Sequence, residues 1–242
     1  MDKAQVLQLI QRVREHSPKR NFTQTFDLTI TLKNLNLKKP EENIDLFVQL
    51  PHPHPKQPRI CALVGKDLIE QSKIFDKIIS QEEFPQYQDK KLVKQLASQY
   101  DWFVAQASIM SQVASIFGRV LGPRSKMPNP KSGGIIMPGA DLAQVKARFS
   151  KLVRLQTKKE LILKTAIASE SSQDEAVTDN ILAVLAALTA ALPQEAGNIK
   201  QLFLKLTMGP SISLSDTKET LEQKKQKVQL TKAGRKKVNQ DE

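Results

Sequence analysis

A proline-rich segment separates two stretches of chain with different strand patterns, and this change limits the folds that the sequence can adopt. Residues 50–58 read LPHPHPKQP, and four closely spaced prolines favour an extended connection. Before it, residues 22–33 (FTQTFDLTITLK) alternate apolar and polar side chains, which is typical of a strand with one buried face. After it, residues 59–65 (RICALVG) form a continuous apolar run, as expected of a strand covered on both faces. The sequence therefore predicts two differently built domains.

The half-exposed pattern returns near residue 152, which predicts that the second domain is inserted into the first. We expect the outer domain to comprise residues 1–56 and 152–215, and the inserted domain to comprise residues 57–151. Hydrophobic spacing predicts the outer elements: helices at 2–15 and about 172–192, strands at 22–33, 43–50 and 198–207, and a hairpin joined near Lys158 and Lys159. Ser172 or Asp174 is the expected N-terminal cap of the second helix.

The inserted domain alternates strand and helix patterns, which is typical of a small parallel α/β domain. Strand patterns occur at 59–65, 101–106 and 133–139, and helical patterns at about 67–80, 89–99, 107–118 and 141–151. The chain is thus predicted to be an α+β protein with an inserted α/β domain. Residues 216–242 contain eight Lys and Arg against five Asp and Glu and no aromatic residue, which predicts a disordered or conditionally helical basic arm.

The charge of the chain indicates the kind of partner. The 242 residues carry a formal net charge of +12, and the isoelectric point is about 9.7. This surplus of Lys and Arg favours a polyanion such as nucleic acid, because binding to phosphates releases counterions. The sequence contains neither a long apolar run nor a strongly basic amphipathic helix, which are the features that would favour a membrane partner. We therefore predict a cytoplasmic protein.

The residues that most often carry catalysis or bind metals are sparse. Cys61 is the single cysteine and lies in an apolar strand pattern, so it is expected to be a buried hydrophobic residue. His52 and His54 lie in the proline-rich segment without a third nearby ligand. The GxSxG, HExxH and GxxxxGK[ST] spacings do not occur. The sequence therefore predicts no enzyme, no metal and no cofactor.

A basic loop at residues 118–134 (GRVLGPRSKMPNPKSGG) allows two interpretations. Its glycines permit close backbone approach and its Arg and Lys side chains supply charge, which suits a loop that cradles phosphates. The same composition is also typical of a rigid surface loop. An enzyme with a nucleotide or phosphate ligand on the α/β domain is the alternative function that this loop leaves open.

A second unusual stretch ends the last predicted strand, where residues 206–213 read LTMGPSIS. Gly and Pro in sequence are typical of a turn, and a turn is the simplest interpretation of these residues alone.

Three stretches together resemble a known family. GRVLGPRSKMPNP at 118–130, KRNFTQTFDLTITLKNLNLKKPE at 19–41 and LTMGPSIS closely resemble the ribosomal protein L-one family, and VQLPH before the insertion also fits. The matches occur in the family's order and cover about residues 1–215, and the stretch near the N-terminus is most similar to archaeal members.

The resemblance implies a fold and a function. The fold is a split β-α-β two-layer sandwich that joins both chain ends, with an inserted three-layer α/β (Rossmann-like) domain. The function is binding to large-subunit rRNA at the mobile stalk near the tRNA exit site. Repression of translation by binding the protein's own mRNA, contact with exit-site tRNA and a monomeric state within the ribosome are also implied.

The resemblance also implies which residues contact RNA. The main contacts are expected at Arg20, Asn21, Phe22, Thr23, Thr25, Thr207, Met208, Gly209, Pro210 and Ser211. Further phosphate contacts are expected from Lys33, Arg154, Lys158 and Lys164, although each is equally interpretable as a solvated strand charge, and Phe22 as a core residue. Secondary contacts are expected from the basic loop through Arg119, Gly122, Pro123, Arg124, Lys126 and Lys131.

Two positions depart from the family's pattern. Ser125 stands where the family usually has glycine, and Ala166-Ile167-Ala168 stands where we expect Pro-Val-Gly. A third interpretation, a repressor that acts on mRNA without a place in the ribosome, would use the same surface and is not separated from the first by sequence.

Overall fold

The protein is described from a computed structural model that covers residues 2–36, 39, 42–137, 139–157 and 160–213. Helices and several sheets are present, which confirms the mixed α and β composition. The chain forms two compact units. Unit 1 consists of residues up to Pro55 together with those from Val153 onward, and unit 2 is Lys56–Leu152. The arm predicted at 216–242, together with Lys158 and Lys159, lies outside the described residues.

Unit 1 contains a four-stranded antiparallel sheet in which the first and last parts of the chain are neighbours. Its strands follow the order β10 (Ile212–Ser213), β9 (Ile199–Leu206), β1 (Thr25–Leu32) and β8 (Ile162–Ser169). The register places Thr29 of β1 opposite Phe203 on one side and Lys164 on the other. A separate two-stranded sheet joins β2 (Asp45–Gln49) to β7 (Leu152–Gln156).

Two helices, α1 (Lys3–His16) and α5 (Asp174–Ala191), pack against each other and against this four-stranded sheet. Every second residue of β1 is buried, and these residues share a core with the apolar side of α1. The buried residues are Phe26, Leu28, Ile30 and Leu32 in β1 and Val6, Leu9, Ile10 and Val13 in α1. The threonines that alternate with them therefore lie on the opposite, partly exposed face of the sheet.

The predicted hairpin across residues 152–169 is wrong. Strand β7 pairs with β2, whereas β8 pairs with β1, so the two strands belong to different sheets. Thr157 shows why, because its N–H donates to the Ile44 carbonyl at 3.0 Å and its hydroxyl accepts the Ile44 N–H at 3.1 Å. Neighbouring strands in sequence find distant partners because those partners complete the apolar core of unit 1.

The predicted start of α5 needs a smaller correction. Neither Ser172 nor Asp174 caps the helix; the capping position is Gln173, whose side chain makes no capping bond. Ser172 has a different role, since its carbonyl accepts a hydrogen bond from Arg14 at 2.8 Å.

Unit 2 contains a four-stranded parallel sheet in the order β4 (Lys77–Ser80), β3 (Ile60–Val64), β5 (Trp102–Gln106) and β6 (Ile135–Ile136). Helices α2 (Lys90–Gln99) and α3 (Met110–Leu121) pack together, and a 3-10 helix at Gln81–Gln88 contacts both. Helix α4 (Leu142–Ser150) packs against a 3-10 helix at Gln71–Ile74. Further 3-10 helices are Lys66–Leu68, Ala107–Ile109 and Pro130–Ser132 in this unit and Glu195–Asn198 in unit 1.

The helix predicted at 67–80 is wrong. This segment forms two short 3-10 helices followed by strand β4, which runs parallel to β3. The Asp76 carboxylate accepts the Ile60 N–H at 2.7 Å and so holds the start of β4 beside β3. The apolar spacing of the segment is compatible with a helix, but pairing of β-branched Ile78 and Ile79 with β3 gives a strand instead.

No helix within the described ranges is long and apolar enough to cross a membrane.

Candidate nucleic-acid interface

Two of the three family-like stretches meet at one end of the sheet in unit 1. Thr207 follows β9 and Thr25 begins β1, and the Thr207 N–H donates to the Thr25 carbonyl at 3.1 Å. In return, the Thr25 N–H donates to the Thr207 hydroxyl at 3.1 Å, and the two hydroxyls lie 2.9 Å apart. The Thr207 hydroxyl thus accepts the Thr25 N–H in place of a backbone carbonyl, and the pairing of β1 with β9 ends there.

A buried glutamine, Gln24, holds the loop that follows Thr207. Gln24 is 1% exposed, its side-chain oxygen accepts the Met208 N–H at 3.1 Å, and its amide nitrogen donates to the Pro18 carbonyl at 3.2 Å. The Gln24 N–H donates to the Glu170 carboxylate at 3.0 Å. The sequence interpretation missed this role, although a polar residue at an apolar position of the alternating pattern was a signal for it.

Gly209 allows this loop to pack closely against the end of α1. Its N–H donates to the Leu206 carbonyl at 2.8 Å, which closes a tight turn. A Cβ atom at this position would collide with the Ser17 hydroxyl and lie 3.2 Å from the Ser17 Cβ. The turn spans residues 206–209 with Thr207 and Met208 at its centre, so Gly209 ends it and Pro210 follows it. Glycine is needed at position 209 because a side chain would not fit there.

The side chains around this turn point outward. Phe22 and Met208 are 53% and 50% exposed, which excludes Phe22 from the core. Thr23 and Thr207 are exposed and Thr25 is half-buried between them. We call these five residues the strand-end surface. Around it, Arg20, Asn21 and Ser211 are exposed, whereas Gly209 and Pro210 are half-buried.

Arg14 anchors the segment behind the strand-end surface. Its guanidinium donates to the Asp174 carboxylate at 2.8 Å and to the carbonyls of Glu170 and Ser172 at 2.7 and 2.8 Å. It also lies 5.0 Å above the ring of Phe26. Because Glu170 in turn binds Gln24, Arg14 supports the surface without being part of it.

The strand cations expected to bind phosphates have different surroundings. Arg154 donates twice to the Asp45 carboxylate, each time at 2.7 Å, and lies 5.1 Å above the ring of Phe47. Its charge is therefore already paired in a two-point ion pair. Lys33 and Lys164 are exposed, and Lys164 lies beside Thr29 on the partly exposed face of the sheet.

The basic loop in unit 2 is tied to the end of α2. The Lys126 ammonium donates to the carbonyls of Ala97 and Tyr100 at 2.9 and 2.7 Å, and burial lowers its pKa. Arg124 donates to the Lys94 carbonyl at 3.2 Å and to the Ser98 hydroxyl at 3.1 Å. The Ala97 and Tyr100 carbonyls lie at the end of α2, where a helix leaves carbonyls without intrahelical partners, so the Lys126 charge serves the fold, and Arg124 adds a second contact to the same helix.

The loop backbone also explains its glycine pattern. A Cβ atom at Gly122 would lie 2.7 Å from the Gly118 carbonyl oxygen, so a larger residue does not fit there. Ser125 has a φ of 58°, in the left-handed region that favours glycine, which fits the expectation of a glycine at this position from the resemblance. Arg119, Pro123 and Lys131 are exposed.

Within the described part of the chain, no three side chains of His, Cys, Asp or Glu are grouped so that they could hold a metal ion. Cys61 is fully buried, and burial raises the pKa of its thiol to about 12. His52 donates its backbone N–H to the Asn180 side chain at 3.0 Å, and its ring lies 3.5 Å from the Asp179 carboxylate.

Comparison with known proteins gives the family. A model of the Ribosomal protein L1p/L10e family matches residues 13–210. The chain belongs to this family.

Curated archaeal relatives match over most of their own length. A large ribosomal subunit protein uL1 from Nanoarchaeum equitans is 39% identical over 84% of this chain and 96% of its own. Proteins of the same name from Methanothermococcus thermolithotrophicus and Methanocaldococcus jannaschii are 34% and 32% identical, over 87% and 90% of this chain and 97% and 98% of theirs. These are names of ribosomal proteins rather than of enzymes, so the prediction that the chain is not an enzyme is confirmed.

Proposed function

We propose that the protein is a component of the large ribosomal subunit that binds large-subunit rRNA through the strand-end surface. The observation that carries this proposal is the meeting of Thr25 and Thr207, whose hydroxyls lie 2.9 Å apart. Two family-like stretches from opposite ends of the chain thereby form one exposed surface. The family of the chain and the names of its relatives support a ribosomal role.

The chemistry of the surface suits folded RNA. Hydroxyl groups and backbone amides can hydrogen-bond to 2′-hydroxyls and phosphates in the wide, shallow minor groove of an RNA helix. The exposed Met208 and Phe22 side chains offer apolar contact to sugars or unstacked bases. The strand-end surface itself contains no charged residue, so shape and hydrogen bonding contribute more to recognition there than charge does.

The finer aspects of the function are part of the same proposal. Unit 1 would be the split β-α-β sandwich of the family and its main RNA-binding domain, and unit 2 would make secondary contacts. The bound element would be the mobile stalk near the tRNA exit site, with exit-site tRNA close by. The protein would act in the cytoplasm as a monomer within the ribosome, and would repress its own translation by binding a similar fold in its mRNA.

A salt series tests this function. The full chain is titrated with the stalk rRNA fragment and with an unrelated hairpin of equal length, at increasing NaCl concentrations. We expect the stalk fragment to bind more tightly than the hairpin even at high salt, because specific contacts persist when the attraction of phosphates weakens. Equal affinities that fall together with salt would contradict the proposal. A leader fragment of the protein's own mRNA that competes with the stalk fragment would support repression.

A further inference from the structure

Unit 2 carries a surface groove between helices α2 and α3 and the end of the 3-10 helix Gln81–Gln88. Its volume is about 280 Å³. Val93, Ile116 and Val120 line it, and Val93 and Val120 are buried, so the floor is aliphatic. An aliphatic floor accepts the flat face of a sugar or a base and offers nothing to a phosphate.

The rim of the groove has the opposite character. Lys90 begins α2 and Arg119 lies in the last turn of α3, and both line the groove with exposed side chains. Neither has a hydrogen-bond or ion-pair partner among the residues that the structure describes. Gln88 and Ser115 add an amide and a hydroxyl to the same rim. Two uncompensated cations beside an aliphatic floor favour a ligand with one anionic and one apolar part.

The charge of the surrounding segment favours the same ligand. Residues 57–151 contain 14 Lys and Arg against 8 Asp and Glu, whereas residues 152–215 contain six of each. Three acids, Glu82, Glu83 and Asp89, lie near the groove in sequence, and two of them are engaged by other groups. The Asp89 carboxylate accepts the Lys91 N–H at 2.9 Å, and Glu82 forms an ion pair with Lys66 at 2.5 Å. Lys94, one turn after Lys90, is exposed and extends the positive surface along α2.

We propose that this groove binds a single-stranded segment of RNA and accommodates one nucleotide. The phosphate lies between Lys90 and Arg119, and the sugar or base lies on the aliphatic floor. The volume is close to the lower end of the range for small-ligand sites, about 300 Å³, which suits one unstacked nucleotide rather than a helix. This site is distinct from the strand-end surface, because its Lys and Arg side chains attract a phosphate, whereas the strand-end surface offers hydroxyls and exposed apolar side chains.

The test uses two pairs of variants of the full chain and a labelled oligouridylate. Ser115→Glu places a carboxylate on the rim, and Ala114→Glu adds the same charge at the neighbouring exposed position outside the groove. Lys90→Gln with Arg119→Gln removes the two rim cations. Lys73→Gln with Lys77→Gln removes the same charge from exposed positions outside the groove. All these side chains are exposed, so the fold is expected to be retained.

Ser115→Glu is expected to weaken oligouridylate binding about fivefold more than Ala114→Glu does, because only the first carboxylate faces the phosphate. Removing the rim cations is expected to flatten the dependence of log K on log salt by about 0.7, the value for one phosphate of a single strand. Equal effects within either pair would overturn the proposal. The preference of the same variants for the stalk fragment over the hairpin reports separately on the strand-end surface, so the two proposals can fail independently.

Discussion

The hydroxyl oxygens of Thr25 and Thr207 lie 2.9 Å apart although 182 residues separate them in the chain. The contact forms because β1 and β9 are antiparallel neighbours, so the start of one strand lies beside the end of the other. The Thr207 N–H also donates to the Thr25 carbonyl, and the Thr25 N–H donates to the Thr207 hydroxyl. The strand-end surface is therefore a product of strand pairing, and its geometry depends on the Thr25–Thr207 pair.

Replacing Thr207 with valine removes the hydroxyl that accepts the Thr25 N–H and keeps the shape of the side chain. We expect the free energy of unfolding to fall by about 0.5 kcal/mol, because the site is exposed and water can replace the lost partner. Urea unfolding measures this change. Thr29→Val is the matched control, since Thr29 lies on β1, the strand that pairs with β9, and its hydroxyl bonds to no described residue. An equal loss in the control would show that the pair has no special role.

Gly209→Ala tests the close approach of the turn to α1. The new Cβ would collide with the Ser17 side chain, so we expect a loss of about 2 kcal/mol in the free energy of unfolding. The Ser17 hydroxyl is buried without a hydrogen-bond partner among the described residues, so Ser17→Gly removes the obstacle without breaking a bond. A double-mutant cycle is expected to show partial recovery.

Gly118→Ala is the control for Gly209→Ala. A Cβ at Gly118 would meet no described atom within 4 Å, and alanine favours the helix there by about 0.5–1 kcal/mol. In the double-mutant cycle of Gly209→Ala with Ser17→Gly, additive changes in the free energy of unfolding would contradict the proposed collision.

Lys126→Met tests the role of the basic loop in the fold. It removes two donors from carbonyls at the end of α2 and is expected to cost about 1–2 kcal/mol of unfolding free energy. Because burial lowers the pKa of Lys126 below its ordinary 10.5, the unfolded chain binds more protons between the lowered value and 10.5. The stability of the parent relative to the variant should therefore rise with pH in that window.

Denaturant unfolding of both proteins across pH 8–11 measures this difference. Lys131→Met is the control, because Lys131 is exposed and its side chain bonds to no described residue, so a change within about 0.5 kcal/mol is expected. Equal losses in the two variants would exclude a structural role for Lys126.

Cys61 is expected to resist thiol reagents in the folded protein. With its pKa raised to about 12 by burial, only on the order of one thiol in ten thousand is ionised at pH 8. Labelling followed by mass spectrometry should show modification at the rate of unfolding, and complete modification in denaturant. Rapid labelling without denaturant would contradict the burial of this strand.

Local patterns predicted the elements that depend on local spacing. The alternation of β1 correctly indicated which side chains are buried, and the continuous apolar run of β3 correctly indicated a strand whose residues are all buried. The helices α1, α2, α3, α4 and α5 also occur where their apolar spacing predicts them. Such patterns are readable because each reports the environment of a residue relative to its near neighbours.

Features that depend on distant partners were not readable in this way. The pairing of β7 with β2 depends on contacts such as Thr157 with Ile44, which no local pattern contains. The contacts that hold the candidate site in place were also unpredictable from local patterns. Its residues were named by resemblance, but Gln24 and Arg14, which hold it in place, were missed because their partners lie far away in sequence.

The central claim, that the strand-end surface recognises RNA, is tested most directly by one substitution at two positions. Met208→Asp places a charge in the surface, whereas Met137→Asp makes the same change at a methionine of unit 2 that is 63% exposed. Binding to the stalk rRNA fragment and to an equal-length hairpin is measured at high salt for both variants. We predict that Met208→Asp lowers the preference for the stalk fragment at least about tenfold, a cost of about 1.4 kcal/mol, while Met137→Asp keeps it. An unchanged preference in Met208→Asp would contradict the account.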